Sequence, residues 1–139
     1  MKFLLDTCVI SELVKKQPDK KVTSWISNID ENNVFLSVIT IGEIYKGIEK
    51  MPSCSRKILL QTWVANDLPE RFRNRILSFD RATASLWGTI QAQSEMAGKS
   101  MPIIDCQIVA TGIHNNLTIA TRNITDMEIS DVTLYDPWK

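Results

Sequence analysis

Apolar residues along the chain fall into two alternating patterns, short continuous runs and longer stretches in which they recur at helical spacing. The runs have the length and composition of buried strands, and they lie at residues 3–5, 34–36, 76–79, 117–120 and 133–135. The helical stretches lie at residues 9–14, 20–29, 40–48, 56–66, 81–97 and 105–113. Strands that alternate with helices predict βαβ units, so we expect an α/β fold whose parallel sheet carries helices on both faces.

Polar residues and a glycine mark the ends of several predicted helices. The segment 67–70, Asp-Leu-Pro-Glu, and the residue Asp80 have the form of helix start signals. Gly98 is expected to end the long helix after Asp80, because glycine adopts the left-handed conformation of a helix C-terminus at little cost. The asparagine pair at 115–116 is expected to end the next helix.

The composition is that of one folded domain spanning residues 1–139, with 44% apolar and 23% charged residues. The formal net charge is zero, so any nucleic-acid site has to be a local patch. No apolar run approaches the roughly 20 residues of a membrane span, and the N-terminal run is too short for a signal peptide. The 3 cysteines form no C-x-x-C pair, which suits free thiols in a reducing compartment. We therefore expect a cytoplasmic protein with no membrane partner.

Three acids lie just after predicted strands or in the first turns of predicted helices. Asp6 directly follows the first strand, Glu43 lies in the helix after the second, and Asp105 opens the helix that leads into the fourth. Ligands of an open parallel sheet bind outside the carboxyl ends of the strands, so at least Asp6 and Glu43 should approach each other. Asp105 also continues the helical stripe of Ile108 and Val109 and should face inward, where an acid without a partner is costly.

Each acid also has a structural interpretation when it is taken alone. The segment 40–43 has the pattern of a capping box, in which Glu43 bonds back to the amide of Thr40. Asp105 has the position of an N-cap, and Asp6 that of a turn residue. Taken together, converging carboxylates repel by about 4 kcal/mol per pair at about 4 Å with an effective dielectric constant near 20, so a cluster needs a cation. Ligands that are all oxygen favour Mg²⁺ or Mn²⁺ over zinc.

Four motifs and the C-terminal residues occur in the order and at the intervals of a known family. They are Leu-Leu-Asp-Thr at 4–7, Ser-Val-Ile-Thr-Ile-Gly-Glu-Ile-Tyr-Lys-Gly at 37–47, Pro-Ile-Ile-Asp at 102–105, Thr-Arg-Asn-Ile-Thr-Asp at 121–126 and Tyr-Asp-Pro-Trp at 135–138. On these motifs the chain resembles the PIN-domain family, in particular its VapC and FitB-like branch. No motif is specific alone, and the resemblance rests on the four together.

The resemblance implies a PIN-like α/β fold with a sheet of four or five parallel strands. It also implies a hydrolase, a Mg²⁺- or Mn²⁺-dependent endoribonuclease that acts as the toxin of a type II toxin–antitoxin pair of the VapBC kind. The implied partners are an RNA substrate, a VapB-like antitoxin that neutralises the toxin, and a second copy in a homodimer. Operator DNA would be contacted only through the antitoxin.

The motifs also imply functional residues by position. The residues that match the family's triad of catalytic, metal-binding carboxylates are Asp6, Glu43 and Asp105. The fourth metal-binding position falls within 121–126, where Asn123 and Asp126 are both candidates. We favour Asp126, because a carboxylate binds a hard cation more strongly than an amide oxygen does. Cys8 stands where the family often has asparagine, which leaves the local hydrogen bonding open.

Further residues allow two interpretations each. Thr7 and Thr121 would orient metal ligands or water, or they would cap helices. Gly47, one turn after Glu43, would permit close helix packing, which we favour, or close approach of a partner. The densest basic run would hold RNA phosphates around the site or form a solvated surface, and it consists of Arg71, Arg73, Arg75 and Arg81.

Other mechanisms fit the sequence less well. An acid–base ribonuclease needs a pair of groups such as two histidines, and the chain contains 1 histidine, His114. The segment 98–100, Gly-Lys-Ser, is not a P-loop, because Gln93 stands where the first glycine belongs. Two alternatives stay open. One is a PIN-domain binding module that acts mainly in a DNA-bound complex with its antitoxin, and the other is a solitary RNA-processing nuclease.

Overall fold

A sheet of five parallel strands forms the centre of the computed structural model, which describes residues 1–129 and 131–139. The strands are β1 (Phe3–Leu5), β2 (Val34–Ser37), β3 (Ile76–Leu77), β4 (Thr118–Ala120) and β5 (Leu134–Tyr135). Their order across the sheet is β3-β2-β1-β4-β5, and every neighbouring pair is parallel. The predicted α/β fold with four or five parallel strands is confirmed.

Helices lie in each of the connections between these strands, as far as the structure describes them. They are α1 (Thr7–Leu13), α2 (Lys20–Ser27), α3 (Val38–Glu49), α4 (Ser55–Thr62), α5 (Leu68–Arg71), α6 (Arg81–Met96), α7 (Ile103–His114) and α8 (Ile124–Met127). A 3₁₀ turn at Glu31–Asn33 precedes β2, and a π-helical turn at Trp63–Asp67 joins α4 to α5.

The helix start expected at Asp67 is wrong. Asp67 has helical backbone angles, φ −72° and ψ −44°, and its side chain caps no amide. The chain therefore stays helical from α4 into α5. The wider π turn lies just before Pro69, the residue that lacks the amide of an α-helical hydrogen bond. In contrast, Asp80 caps α6 through Thr83, as expected.

Two hydrophobic cores cover the two faces of the sheet. Along β1, Phe3 and Leu5 belong to one core and Leu4 to the other, because successive side chains of a strand point to opposite faces. The first core joins the sheet to α1–α5, and the second joins it to α6 and α7. Helices on both faces are therefore confirmed.

The strand order brings the carboxyl ends of β1, β2 and β4 together. β1 lies between the other two, with Leu4 opposite Phe35 and Leu5 opposite Ala120. The amide of Asp6 extends the ladder by one bond, donating to the carbonyl of Ala120 at 3.0 Å. The chain continues from β1 and β4 in opposite directions across the sheet, which makes this edge the point where open α/β sheets bind ligands.

Helix ends in the second half of the chain follow the sequence signals. Gly98 has a φ of +77° just after α6, and Asn116 has a φ of 55° just after α7, so both predicted ends are confirmed. Within residues 1–129 and 131–139, no helix is long and apolar enough to cross a bilayer.

Candidate active site

Asp6 lies at the centre of the carboxyl edge and is 3% exposed. Its Oδ1 accepts the amide of Thr7 at 2.8 Å, so it caps α1, and its Oδ2 accepts the hydroxyl of Thr121 at 2.8 Å. Asp6 is thus the N-cap of α1, whereas the structural interpretation predicted a turn residue. It is also a buried carboxylate whose orientation is fixed from two neighbouring strand ends.

Glu43 contacts Thr7, the residue that directly follows Asp6. Ser37 caps α3, so Glu43 lies in the second turn of that helix. The capping box at 40–43 is therefore wrong. Glu43 Oε1 accepts the hydroxyl of Thr7 at 2.5 Å, while the same hydroxyl also lies 3.2 Å from Thr40 Oγ1. Thr7 thus links Asp6, through its amide, to Glu43, through its side chain.

Asp105 approaches the same edge from α7. That helix begins after Pro102, and Asp105 is its third residue, so the N-cap interpretation of Asp105 is wrong. The side chain is half-buried, and burial raises the pKa of the Asp105 carboxyl to about 6, assisted by the charges of Asp6, Asp126 and Glu43. Asp105 therefore lies within reach of the charges of the three other carboxylates. We call these four residues the acid cluster.

The segment after β4 supplies the two candidates for the fourth position. The amide of Asn123 donates to Thr121 Oγ1 at 2.9 Å, and its side chain does not cap α8. Asp126 lies in α8, is exposed, and contributes more than Glu43 to the raised pKa of Asp105. The charge of Asp126 therefore lies near enough to act on Asp105, and the choice between Asn123 and Asp126 as a ligand stays a prediction.

Cys8 completes the hydrogen bonding around Asp6. Its Sγ lies 3.5 Å from Asp6 Oδ2 and 3.7 Å from Thr121 Oγ1. Burial raises the pKa of the Cys8 thiol to about 11, and the Asp6 charge adds to this, although contacts with the amide of Arg122 and with Thr121 oppose it. Cys8 is therefore a neutral thiol that donates weakly to the carboxylate.

The candidate metal ligands of the acid cluster are all oxygen atoms, which suits Mg²⁺ or Mn²⁺. No hydrogen bond is among the causes that set the pKa of Asp105, which burial and like charges raise, so a cation would stabilise its charged form. The side chains do not form a closed cage. Among residues 1–129 and 131–139, no three His, Cys, Asp or Glu side chains stand close enough together to hold one ion without moving.

The basic run predicted around the site lies mostly elsewhere. Arg75 donates to the carbonyls of Glu31 and Val34, at the start of β2, and Arg71 pairs with Glu31 at 2.7 Å. These contacts lie at the amino ends of β2 and β3, the edge opposite the acid cluster. For Arg71 and Arg75 this position does not support the RNA-binding interpretation, and the exposed ion pairs of Arg71 and Arg73 agree with the other interpretation, a solvated surface. Arg81, the first residue of α6, follows the carboxyl end of β3 and is exposed.

Gly47 differs from expectation, and Arg122 is a residue beside the site to which the sequence interpretation gave no role. A Cβ on Gly47 would meet no atom within 4 Å, so the favoured explanation, close packing within the chain, is wrong. Gly47 instead borders an open groove of about 340 Å³ beside Thr7 and Glu43. Arg122 was not singled out, although it lies inside the motif at 121–126 and next to a contact of Asp6.

The PIN-domain family model matches residues 3–127. The chain therefore belongs to the PIN-domain family, and the resemblance drawn from the four motifs is confirmed.

Curated relatives and solved structures are similar to this chain over nearly its whole length. The chain is 33% identical over 136 residues to "Toxin FitB" of Neisseria gonorrhoeae, with 98% of each chain covered. It is 31% identical over 137 residues to "VapC ribonuclease Y4jK" of Sinorhizobium fredii, covering 99% of this chain and 98% of that one. The solved "Structure of FitAB bound to IR36 DNA fragment" matches with a TM-score of 0.91 at 31% identity, covering 99% and 96%.

Proposed function

We propose that this chain is a metal-dependent endoribonuclease that acts as the toxin of a VapBC-type toxin–antitoxin pair. The observation that carries the proposal is the set of acids at the carboxyl edge of the sheet, where Thr7 contacts both Asp6 and Glu43 and where the charges of Asp6, Asp126 and Glu43 add to burial in raising the pKa of Asp105. Such a cluster costs folding free energy unless a cation joins it, and a binding module has no need of it. The similarity to a VapC ribonuclease over 99% of the chain supports RNA as the substrate.

In this proposal Asp6, Glu43 and Asp105 hold Mg²⁺ or Mn²⁺, with Asp126 as the fourth ligand. The bound ion lowers the pKa of a water molecule and offsets charge on phosphate oxygens during hydrolysis. The protein supplies the positions of the ligands. Thr121 orients Asp6 at 2.8 Å, and Thr7 orients Glu43 at 2.5 Å.

The test is cutting of single-stranded RNA by the purified chain. We expect cutting with Mg²⁺ or Mn²⁺ and none in EDTA. Asp6→Asn, Glu43→Gln and Asp105→Asn should each lower the rate by roughly a hundredfold or more, because several kcal/mol of transition-state stabilisation are lost. Glu49→Gln is the matched control, since Glu49 is an exposed acid in the last turn of the same helix as Glu43. Full activity in EDTA, or in any of the three variants, would contradict the proposal.

We further propose that a short antitoxin blocks the acid cluster, in line with the similarity to Toxin FitB. A basic side chain inserted among the carboxylates would compete with the metal. Expression of the wild-type chain alone should arrest bacterial growth, whereas Asp6→Asn should not. If both are harmless, the chain is not a toxin, and a solitary RNA-processing nuclease becomes the better account.

A second candidate function is favoured by one comparison, the solved FitAB complex bound to a DNA fragment. In that candidate the chain acts in the cytoplasm, as a homodimer, mainly within a DNA-bound complex with its antitoxin. The net charge of zero gives the chain no general affinity for DNA. We therefore expect the chain alone to leave operator DNA unshifted in a gel and its complex with the antitoxin to shift it.

A further inference from the structure

Arg122 is a basic residue at the edge of the acid cluster to which the proposed function gives no role. It directly follows Thr121, whose hydroxyl donates to Asp6 Oδ2 at 2.8 Å. The amide of Arg122 contacts the thiol of Cys8, which also lies beside Asp6. The backbone of Arg122 is therefore fixed to the carboxyl edge, and its side chain is exposed there.

The side chain of Arg122 rests on an aromatic ring. Its guanidinium carbon lies 4.3 Å from the centroid of the Trp138 ring. Trp138 is itself anchored, because it packs against the first hydrophobic core and its amide donates to Asp136 Oδ1 at 2.9 Å. A guanidinium stacked on an indole is held by cation–π attraction while the N–H groups along its edge stay free to bind another group.

Within the described chain, the guanidinium of Arg122 has no acidic partner. No Asp or Glu among residues 1–129 and 131–139 forms an ion pair with Arg122, whereas Arg71 pairs with Glu31 and Arg73 pairs with Glu70. An arginine that is oriented by a ring, exposed and without an acidic partner is suited to an anion. Phosphate is the anion that the planar guanidinium matches best, because two of its N–H groups can bind two phosphate oxygens.

We propose that Arg122, oriented by Trp138, binds a backbone phosphate of the RNA that flanks the bond to be cut. The proposal rests on the proposed function in taking RNA as the substrate. Arg122 would be a phosphate-binding residue, and Trp138 would be a positioning residue that acts through it. The rival explanation is structural, with Arg122 serving only to hold the C-terminal residues against the core.

Binding of a short, labelled, mixed-sequence single-stranded RNA, followed by fluorescence anisotropy, separates these explanations. The measurement uses the Glu43→Gln background so that the RNA stays intact. Arg122→Gln should raise the Kd roughly three- to tenfold at low salt, as expected for loss of one charged hydrogen-bonding contact. It should also lower the slope of log K against log salt by about 0.7, the value for one contact with a single strand.

Three further variants make the test specific. Arg71→Gln removes an exposed arginine at the opposite edge and should change neither quantity. Arg122→Lys should keep the salt slope, because it keeps the charge. Trp138→Phe should keep most of the affinity, whereas Trp138→Leu, which removes the ring, should raise the Kd towards that of Arg122→Gln. Thermal unfolding of each variant identifies any loss of fold.

Several results would overturn the proposal for Arg122. They are an unchanged Kd and salt slope in folded Arg122→Gln, an equal loss in Arg71→Gln, or a Glu43→Gln chain with Arg122 intact that does not bind the RNA at low salt. Cutting is measured separately in protein with Glu43 intact. If the chain binds RNA through Arg122 but never cuts it, the proposed function alone is contradicted. If the chain cuts RNA and Arg122→Gln binds RNA as tightly as the chain with Arg122 intact, this inference alone is contradicted.

Discussion

At the scale of single residues, the acid cluster lowers the stability of the metal-free folded chain. The pKa of Asp105 is raised from 3.8 to about 6, so between these values the folded chain holds a proton that the unfolded chain has lost. Stability linked to this proton is fully present below about pH 4 and is lost as the pH rises through about 6. The metal-free protein is therefore destabilised by Asp105 at neutral pH.

This cost predicts a stabilised variant. In EDTA, Asp105→Asn should unfold at a higher temperature than wild type above about pH 6, and the difference should vanish near pH 4. The gain should be smaller than the about 1.4 kcal/mol per pKa unit of a fully buried group, because Asp105 is half-exposed. Thermal unfolding across this pH range measures it. Equal stability at every pH would contradict the raised pKa of Asp105, and with it the burial and the neighbouring charges that cause the shift.

The fourth ligand position gives a prediction for two residues. If Asp126 is the ligand, Asp126→Asn should sharply raise the metal concentration needed for half-maximal cutting, because a carboxylate binds a hard cation better than an amide does. Asn123→Asp should then change it little. The reverse pattern would identify Asn123 as the ligand, and it would appear as a lower metal requirement in Asn123→Asp. A metal titration of the cutting rate distinguishes the two.

Thr7 offers a test of how the ligands are oriented. Its hydroxyl donates to Glu43 Oε1 at 2.5 Å, and Thr7→Val removes that donor with almost no change in shape. Loss of such a contact to a metal ligand costs roughly 10- to 100-fold in metal affinity or activity. Thr7→Ser keeps the hydroxyl and is the control. Cutting by Thr7→Val at the wild-type rate and metal requirement would show that Glu43 needs no orientation by Thr7.

At the scale of elements, the packing of α7 on the sheet depends on Gly112. A Cβ at this position would lie 2.8 Å from Cγ1 of Ile119, a fully buried residue of β4. Gly112→Ala should therefore lower stability, since overpacking costs about 1–3 kcal/mol and exceeds the about 1 kcal/mol that alanine contributes to a helix. Gly88→Ala is the control in α6, where a Cβ meets nothing within 4 Å, and it should raise stability. Chemical denaturation measures both, and a stabilised Gly112→Ala would contradict the predicted clash.

The elements that the sequence predicted well are those with strong apolar patterns and special end residues. All five strands fall within the predicted runs or one residue beyond them, and Asp80 and Gly98 mark the ends of α6. Local signals failed where another contact competes. Ser37 caps α3 and leaves Thr40 free to contact Thr7, an interaction between residues 33 apart that no local pattern records.

Site residues were likewise predicted well where topology places them and poorly where a distant contact does. The positions of Asp6 and Glu43 after β1 and β2 were enough to predict that they converge, because parallel topology fixes which edge they share. Asp105 lies in α7 and follows no strand, so its place at this edge was predicted from its helical stripe and from the family resemblance. Arg71, Arg73 and Arg75 were considered as residues around the site, because a run of basic residues does not show at which end of a strand it lies. Arg122 was missed because its partner, Trp138, is distant in sequence.

At the scale of the whole molecule, the sheet divides the chain into two cores and brings ligands from both halves to one edge. Asp6 and Glu43 come from the elements around the first core, and Asp105 comes from α7 in the second. Binding of one cation would therefore join both halves of the fold. A ligand that binds only the folded state stabilises it by mass action, so Mn²⁺ should raise the unfolding temperature of wild type but not of Asp105→Asn.

The central claim is that the acid cluster binds a divalent cation, and calorimetric titration of Mn²⁺ into the purified chain tests it most directly. Wild type and the matched variant Glu49→Gln should bind Mn²⁺ equally, whereas Glu43→Gln and Asp105→Asn should lose most of the affinity. Absence of Mn²⁺ binding by wild type, or undiminished binding by both Glu43→Gln and Asp105→Asn, would contradict the claim.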